Sequence, residues 1–166
     1  LPYKDYCKMH IIMHYVAVLL GAKKNGRFQL YPIGKVGNDD AGKTLLNQMN
    51  DVGMNTAFVK VSDQSPTLFS VCFQYPDHTG GNITSSQSAS NEVSADDIEH
   101  FFEEPKGEGK KEIILAVPEV PVQTRIKLLE KGRLRGSLNV ASVLSSETEE
   151  FKILNGFNLT DILSVN

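Results

Sequence analysis

Cysteine is scarce: the 166 residues hold only Cys7 and Cys72. No C-x-x-C pair and no histidine cluster accompanies them, so neither a metal site nor a disulfide framework is expected. A reducing cytoplasm is the expected compartment. An excess of positive charge is also missing. The net charge is -3 and the pI about 5.8, and lysines and arginines are scattered along the chain instead of forming a stripe, which argues against a nucleic-acid partner. Long apolar runs are missing too. The one apolar stretch, residues 11–20, is too short to span a bilayer and is interrupted by His14 and Tyr15, so no membrane partner is expected. Lys4 and Lys8 precede it, yet no small-residue cleavage site follows, and it reads as a buried core helix ending near Gly21. In the expected compartment the sequons at Asn82 and Asn158 carry no meaning. The chain opens at Leu1 without a methionine, as a processed or partial product would.

What is present is a soluble globular composition, at a length suited to one domain with a real core. The chain is organised around Gly34-Lys-Val-Gly37-Asn-Asp39-Asp40-Ala-Gly42-Lys43-Thr44. Gly37 to Thr44 satisfies the phosphate-loop pattern G-x-x-x-x-G-K-T, in which Lys43 would reach terminal phosphates and Thr44 would hold magnesium. The residues between its glycines weaken that reading, because Asp39 and Asp40 would face a polyphosphate with like charge. The other reading is a strand-to-helix turn: Gly37 allows an unusual conformation, Asp39 or Asp40 caps the helix, and Lys43 is solvated.

Around this turn the pattern alternates. Residues 28–33 read as a buried strand with Pro32 at its exit. Ala41, Leu45, Leu46, Met49 and Val52 recur at helical spacing, with Gly53 placed for a left-handed C-terminal cap. Residues 57–61 read as a short strand. Residues 68–75 alternate strictly and, with 82–86 across the turn at Pro76 to Gly81, read as a hairpin. Phe69, Val71, Phe73 and Tyr75 share one face of it; Leu68, Ser70, Cys72 and Gln74 share the other. That polar face either meets a polar ligand or simply meets water. His78, in the turn, reads as solvated.

Beyond a loop at 84–91, Ser94 and Asp97 form a capping box for a helix carrying Ile98, Phe101 and Phe102. Residues 105–111 connect to the continuous apolar strand 113–117. Pro121 opens a helix burying Val122, Ile126 and Leu129, with Gly132 after it. Residues 137–143 read as a strand. Ser146 and Glu149 form a second capping box before a short helix that stops at Gly156, and 161–165 read as a last strand. Such alternation implies a parallel sheet with helices on its faces, and ligands then bind beyond the strands' carboxyl ends. Glu119, Asn139 and Asn166 stand near three such ends, as ligand groups or as turn residues and caps.

The order of these elements resembles the ribokinase-like, or PfkB, carbohydrate kinases. Ile33-Gly-Lys-Val-Gly37-Asn-Asp39-Asp-Ala-Gly42 is similar to that family's strand and G-x-D-x-x-G turn. Ser65-Pro66-Thr67 resembles the way into its β-lid and Tyr75-Pro76-Asp77 the lid's tip. Ser90-Asn91 resembles an A-N turn, Pro118-Glu119 a strand-end glutamate, and Asp161-Ile-Leu-Ser-Val-Asn166 the strand into an N-x-x-E motif. The resemblance runs from about residue 15 to the end. It implies a Rossmann-like α/β core at 1–66 and 87–166 with a hairpin lid at 67–86, the ATP-binding half being absent.

The activity so implied is transfer of the γ-phosphoryl of ATP, with magnesium, to a sugar or nucleoside hydroxyl. Ser70 and Cys72 on the lid and Glu119 would touch the substrate, Asn166 would begin the phosphate and magnesium motif, and the lid would form a homodimer through Phe69, Val71 and Phe73. Residues 11–15 lack the family's sugar-binding glycines and asparagine, and the catalytic base falls beyond Asn166. The expectation is therefore a truncated chain that binds neither ATP nor Mg2+, transfers nothing, and exposes a sheet edge through which it associates. Two other readings stand beside it: a small phosphate-loop hydrolase using Lys43 and Thr44, and a non-catalytic sugar-binding or dimerisation module built on 67–86.

Overall fold

The computed structural model of the chain describes residues 8–22, 28–105 and 109–165. In chain order the helices and strands are α1 (Lys8–Leu20), β1 (Gly34–Gly37), α2 (Asp40–Asp51), β2 (Val59–Ser62), β3 (Ser70–Gln74), β4 (Gly80–Thr84), α3 (Ala95–Glu103), β5 (Ile113–Ala116), α4 (Val122–Leu134), β6 (Leu138–Val143), α5 (Thr148–Ile153), α6 (Gly156–Leu159) and β7 (Ile162–Val165). They fall into two compact units, one spanning 16–92 and the other 93–166 with the residues before 16, the division running through α1. The class is α/β, with parallel strands flanked by helices and one separate β-hairpin.

In the unit spanning 16–92, β1 and β2 pair in parallel from Gly34 opposite Val59 to Gly37 opposite Ser62. The strand expected at 28–33 is displaced: those residues form no ladder and the strand begins at Gly34. Pro32 has no N–H to give a neighbour, and pairing starts only after it. Leu30 still carries order, its carbonyl accepting from the Asn55 N–H at 2.8 Å. α2 buries Met49, and Val36 and Met54 are buried in the same unit; the helix ends where expected, with Gly53 at φ 85°. β3 and β4 form the expected hairpin, Ser70 opposite Thr84 and Gln74 opposite Gly80. α1 is not the buried helix expected from its composition. Only its Ala17 side is covered in this unit, while Leu19 is 74 % exposed. A helix that is apolar all round hides whichever stripe finds a neighbour, and composition does not say which.

In the other unit, β5, β6 and β7 make a parallel sheet in that order, with Ile113 opposite Leu138 and Val140 opposite Ile162. The core packs Ile114, Ala116, Ala141 and Val143 of the sheet against Val122, Ile126 and Leu129 of α4 and Phe151 of α5. Asp97 accepts from the Ser94 N–H at 2.8 Å, closing the expected box at the start of α3. The second box forms elsewhere: Glu147, not Glu149, reaches back to the Leu144 N–H at 3.1 Å. Gly132 lies inside α4 instead of after it, because Asn139 needs the room. A Cβ on Gly132 would stand 2.3 Å from Asn139 Oδ1. The left-handed residue that follows α4 is Gly136, at φ 67°.

Candidate functional site

The turn between β1 and α2 is built around one carboxylate. Asp39 is extended and caps α2, its Oδ1 accepting from the Gly42 N–H at 2.7 Å. The same side chain reaches across to Thr67, at the root of the hairpin. Oδ2 accepts from the Thr67 N–H at 2.8 Å and Oδ1 from the Thr67 hydroxyl at 2.7 Å. That hydroxyl in turn accepts from the Gly37 N–H at 2.9 Å. The Thr67 N–H, then the Gly42 N–H and then the Thr67 hydroxyl hold the Asp39 carboxyl below the ordinary carboxylate range. Gly37 serves contact here, not an unusual conformation. Its φ is not positive, and a Cβ on it would lie 2.5 Å from the Thr67 nitrogen.

This geometry corrects the phosphate-loop reading. The anion at the positive end of α2 is Asp39 itself, which takes the place a phosphate would need. Lys43 lies exposed, 3.8 Å from Asp40 Oδ1, and the Thr44 hydroxyl donates to the Asp40 carbonyl at 2.7 Å inside its own helix. Neither side chain is turned to a nucleotide or to magnesium. Among the described residues no group of three or more His, Cys, Asp or Glu could hold a metal ion. Lys43 and Thr44, so placed, do not fit the phosphates or the magnesium of a nucleotide.

Beside Asp39 an open cleft of about 380 Å³ lies at the carboxyl ends of β1 and β2, lined by Asn38, Ser62, Asp63, Gln64, Ser65 and Pro66. Its polar groups largely satisfy one another: Asn38 Nδ2 donates to Asp63 Oδ1 at 2.8 Å and the Ser62 hydroxyl to Glu92 Oε2 at 2.7 Å. Asp39, which also lines the cleft, ties its wall to Thr67 at the lid's root.

On the hairpin itself every ladder residue is exposed. Ser70 and Cys72 share a face as expected, and the register adds Thr84 and Asn82 opposite them. The Ser70 and Thr84 hydroxyls lie 2.6 Å apart. Asn82 and Thr84 were missed in the sequence because pairing partners are fixed by register, although alternation in 80–84 was a signal. On the other face Phe69, Val71, Phe73, Tyr75 and Ile83 form an exposed apolar patch.

In the other unit, Glu119 stands just past the end of β5 at φ 81°, a left-handed conformation that costs a residue with a Cβ roughly 1–3 kcal/mol. Buried Pro118 precedes it and Pro121 caps α4 after it. Asn139 does not join this place. It opens β6 at the opposite end of the sheet, where its Nδ2 donates to the carbonyls of Leu129 and Leu159, both at 2.8 Å. It is a structural residue. Asn166 and Cys7 lie outside the described residues.

Residues 16–166 match the family model described as pfkB family carbohydrate kinase. The chain belongs to that family. Its fold is that of several solved structures. The fructokinase from Xylella fastidiosa superposes with a TM-score of 0.70 at 12% identity, over 98% of this chain and 54% of that one. A Burkholderia thailandensis nucleoside kinase in complex with inosine gives 0.64 at 15%, over 93% and 46%. Arabidopsis thaliana ribokinase complexed with ribose and ATP gives 0.60 at 18%, over 81% and 40%. The chain thus spans about half the length of these structures. A search of curated proteins returns no match.

Proposed function

We propose that this chain is the substrate-facing part of a kinase that phosphorylates a hydroxyl of a sugar or nucleoside, and that by itself it binds that substrate without transferring phosphate. The observation that carries the reading is the hairpin. A two-stranded ribbon is marginal in water on its own, yet every ladder residue of this one is exposed; it is fastened at its root by Asp39 and Thr67, and bears hydroxyl, thiol and amide groups along one face. Such a ribbon suits a lid that closes over a polyhydroxyl ligand and excludes water.

In this reading Ser70 and Cys72, with Thr84 and Asn82 beside them, face the substrate on the lid. Glu119 accepts a substrate hydroxyl, and its strained backbone is of the kind that clusters at ligand sites. Asn166 opens the motif that organises phosphate and magnesium. The apolar face of the ribbon pairs with the same face of a second copy, since a two-fold interface repeats one patch on both partners.

Thermal melting of the 166-residue chain tests this, with D-ribose, D-fructose and inosine, and separately with magnesium-ATP. A probe at about a hundred times its Kd raises stability by roughly 2.7 kcal/mol. The expected result is a shift with one sugar or nucleoside and none with magnesium-ATP. Stabilisation by magnesium-ATP that disappears in Lys43→Ala would restore the phosphate loop, and silence to every sugar would end the substrate-binding reading.

A further inference from the structure

The strained turn at Glu119 has a brace, and the brace lies one helical turn away. Pro118 and Pro121 restrict their own φ angles, not that of Glu119. Arg125, on the first turn of α4, has a side chain only 3 % exposed. Its Nη2 donates to Glu147 Oε1 at 2.6 Å, and its Nη1 to the Ser142 carbonyl near the end of β6 at 3.3 Å. Glu147 Oε2 accepts from the Leu144 N–H at 3.1 Å. The Arg125 N–H closes onto the Pro121 carbonyl, also at 3.1 Å. One residue earlier on the helix, the Thr124 hydroxyl donates to the Val93 carbonyl at 2.8 Å. A bonded path therefore runs from the carboxyl end of β6 through Glu147 and Arg125 to the turn that carries Glu119.

A buried ion pair is a poor way to gain stability, because desolvation offsets most of the attraction and an apolar pair of similar volume often serves as well. What an apolar pair lacks is direction. The guanidinium is planar and donates to two fixed acceptors at once, so it sets the start of α4 against the end of β6 in rotation as well as in distance. The geometry points to Arg125 and Glu147 as a positioning pair that holds the Glu119 turn in its left-handed conformation. Its consequence for ligand binding rests on the substrate-facing role proposed for Glu119. The pair itself touches no substrate in this scheme; it acts through the turn.

The test uses the 166-residue chain and the double variant Arg125→Met/Glu147→Leu, which removes both charges and leaves the volume filled. Two quantities are read: the melting temperature, and the sign of φ at Glu119 from backbone NMR couplings and chemical shifts. Expected is a melting temperature close to the parent's with Glu119 released from positive φ. A double variant that keeps the left-handed turn overturns the inference. Arg125→Lys is the second variant, folded and charged but without the fork; there the turn is expected to populate both conformations, and a turn unchanged from the parent counts against the pair. A calorimetric arm with D-ribose, D-fructose and inosine reads the consequence. For whichever probe the parent binds, the double variant and Glu119→Gln should each weaken it roughly tenfold, the scale of one hydrogen bond to a charged group. Parent-like binding by Glu119→Gln, or a parent that binds no probe, removes the role proposed for Glu119, while the NMR result still decides the positioning pair.

Discussion

The ribbon β3–β4 and the sheet β5–β6–β7 spend similar side chains to opposite ends. In the sheet, Ile114, Ala141 and Val143 are buried beneath Ile126, Leu129 and Phe151 of the covering helices. On the ribbon, Val71, Phe73 and Ile83 alternate as cleanly, yet stay exposed. β5 and β6 are each followed by helices that return over the sheet to the next parallel strand, whereas the antiparallel ribbon closes through a tight turn at 75–79, with Tyr75 N–H bonded to the Thr79 carbonyl at 2.7 Å. A contiguous exposed apolar face of this kind marks a candidate interaction surface. Alternation identifies the apolar face of a strand pair but not whether the same chain covers it.

The sharpest way to break this contrast is at Phe151. It is fully buried and meets the Phe157 ring edge-on at 5.2 Å, so Phe151→Ala should cost about 3–5 kcal/mol in denaturant unfolding. A loss below about 1 kcal/mol would mean the sheet's core is no better covered than the ribbon.

A smaller effect is expected at the ribbon's root. Asp39→Ala removes a helix cap and two bonds to Thr67, for a loss of roughly 2 kcal/mol. Its pH dependence follows from direction. The folded carboxyl titrates below its ordinary range, so its contribution is complete above that range and fades as the pH falls through it towards the lower folded value. Parent and variant should therefore differ most near neutrality and converge in acid; a constant difference would show that the cap, not the charge, matters.

The smallest stability effect belongs to the apolar face of the ribbon. Phe69 is 65 % exposed, and Phe69→Ser should change unfolding by no more than about 0.5 kcal/mol. Light scattering is the informative measurement there. If two copies pair through this face, the variant shifts to monomer; an unchanged mass would leave the ribbon without that partner.

Much of this was legible along the chain because local chemistry decided it. Ser94 and Asp97 fixed the start of α3, Gly53 the end of α2, and the apolar run at 113–117 the strand β5. The order of motifs from Ile33 to Asn166 named the family. Legibility failed where a neighbouring residue overrode the pattern or a distant one decided. Pro32 placed β1 later than its apolar lead-in suggested, Asn139 faces Gly132 in the last turn of α4, and Glu147 took the capping role that spacing assigned to Glu149. The pairing of Arg125 with Glu147, 22 positions apart, has no local signature.

The sequence alone determined the class of each element and their alternation, because periodicity, caps and turn residues act over a few neighbours in the chain. Only the tertiary structure decided what Asp39 does. The G-x-D spacing supplied a carboxylate and a helix start, and the close approach of Thr67 turned them into a fastening that fills the site a phosphate would have taken. Contacts between residues far apart in sequence obey packing and hydrogen-bond geometry, and no short pattern records those.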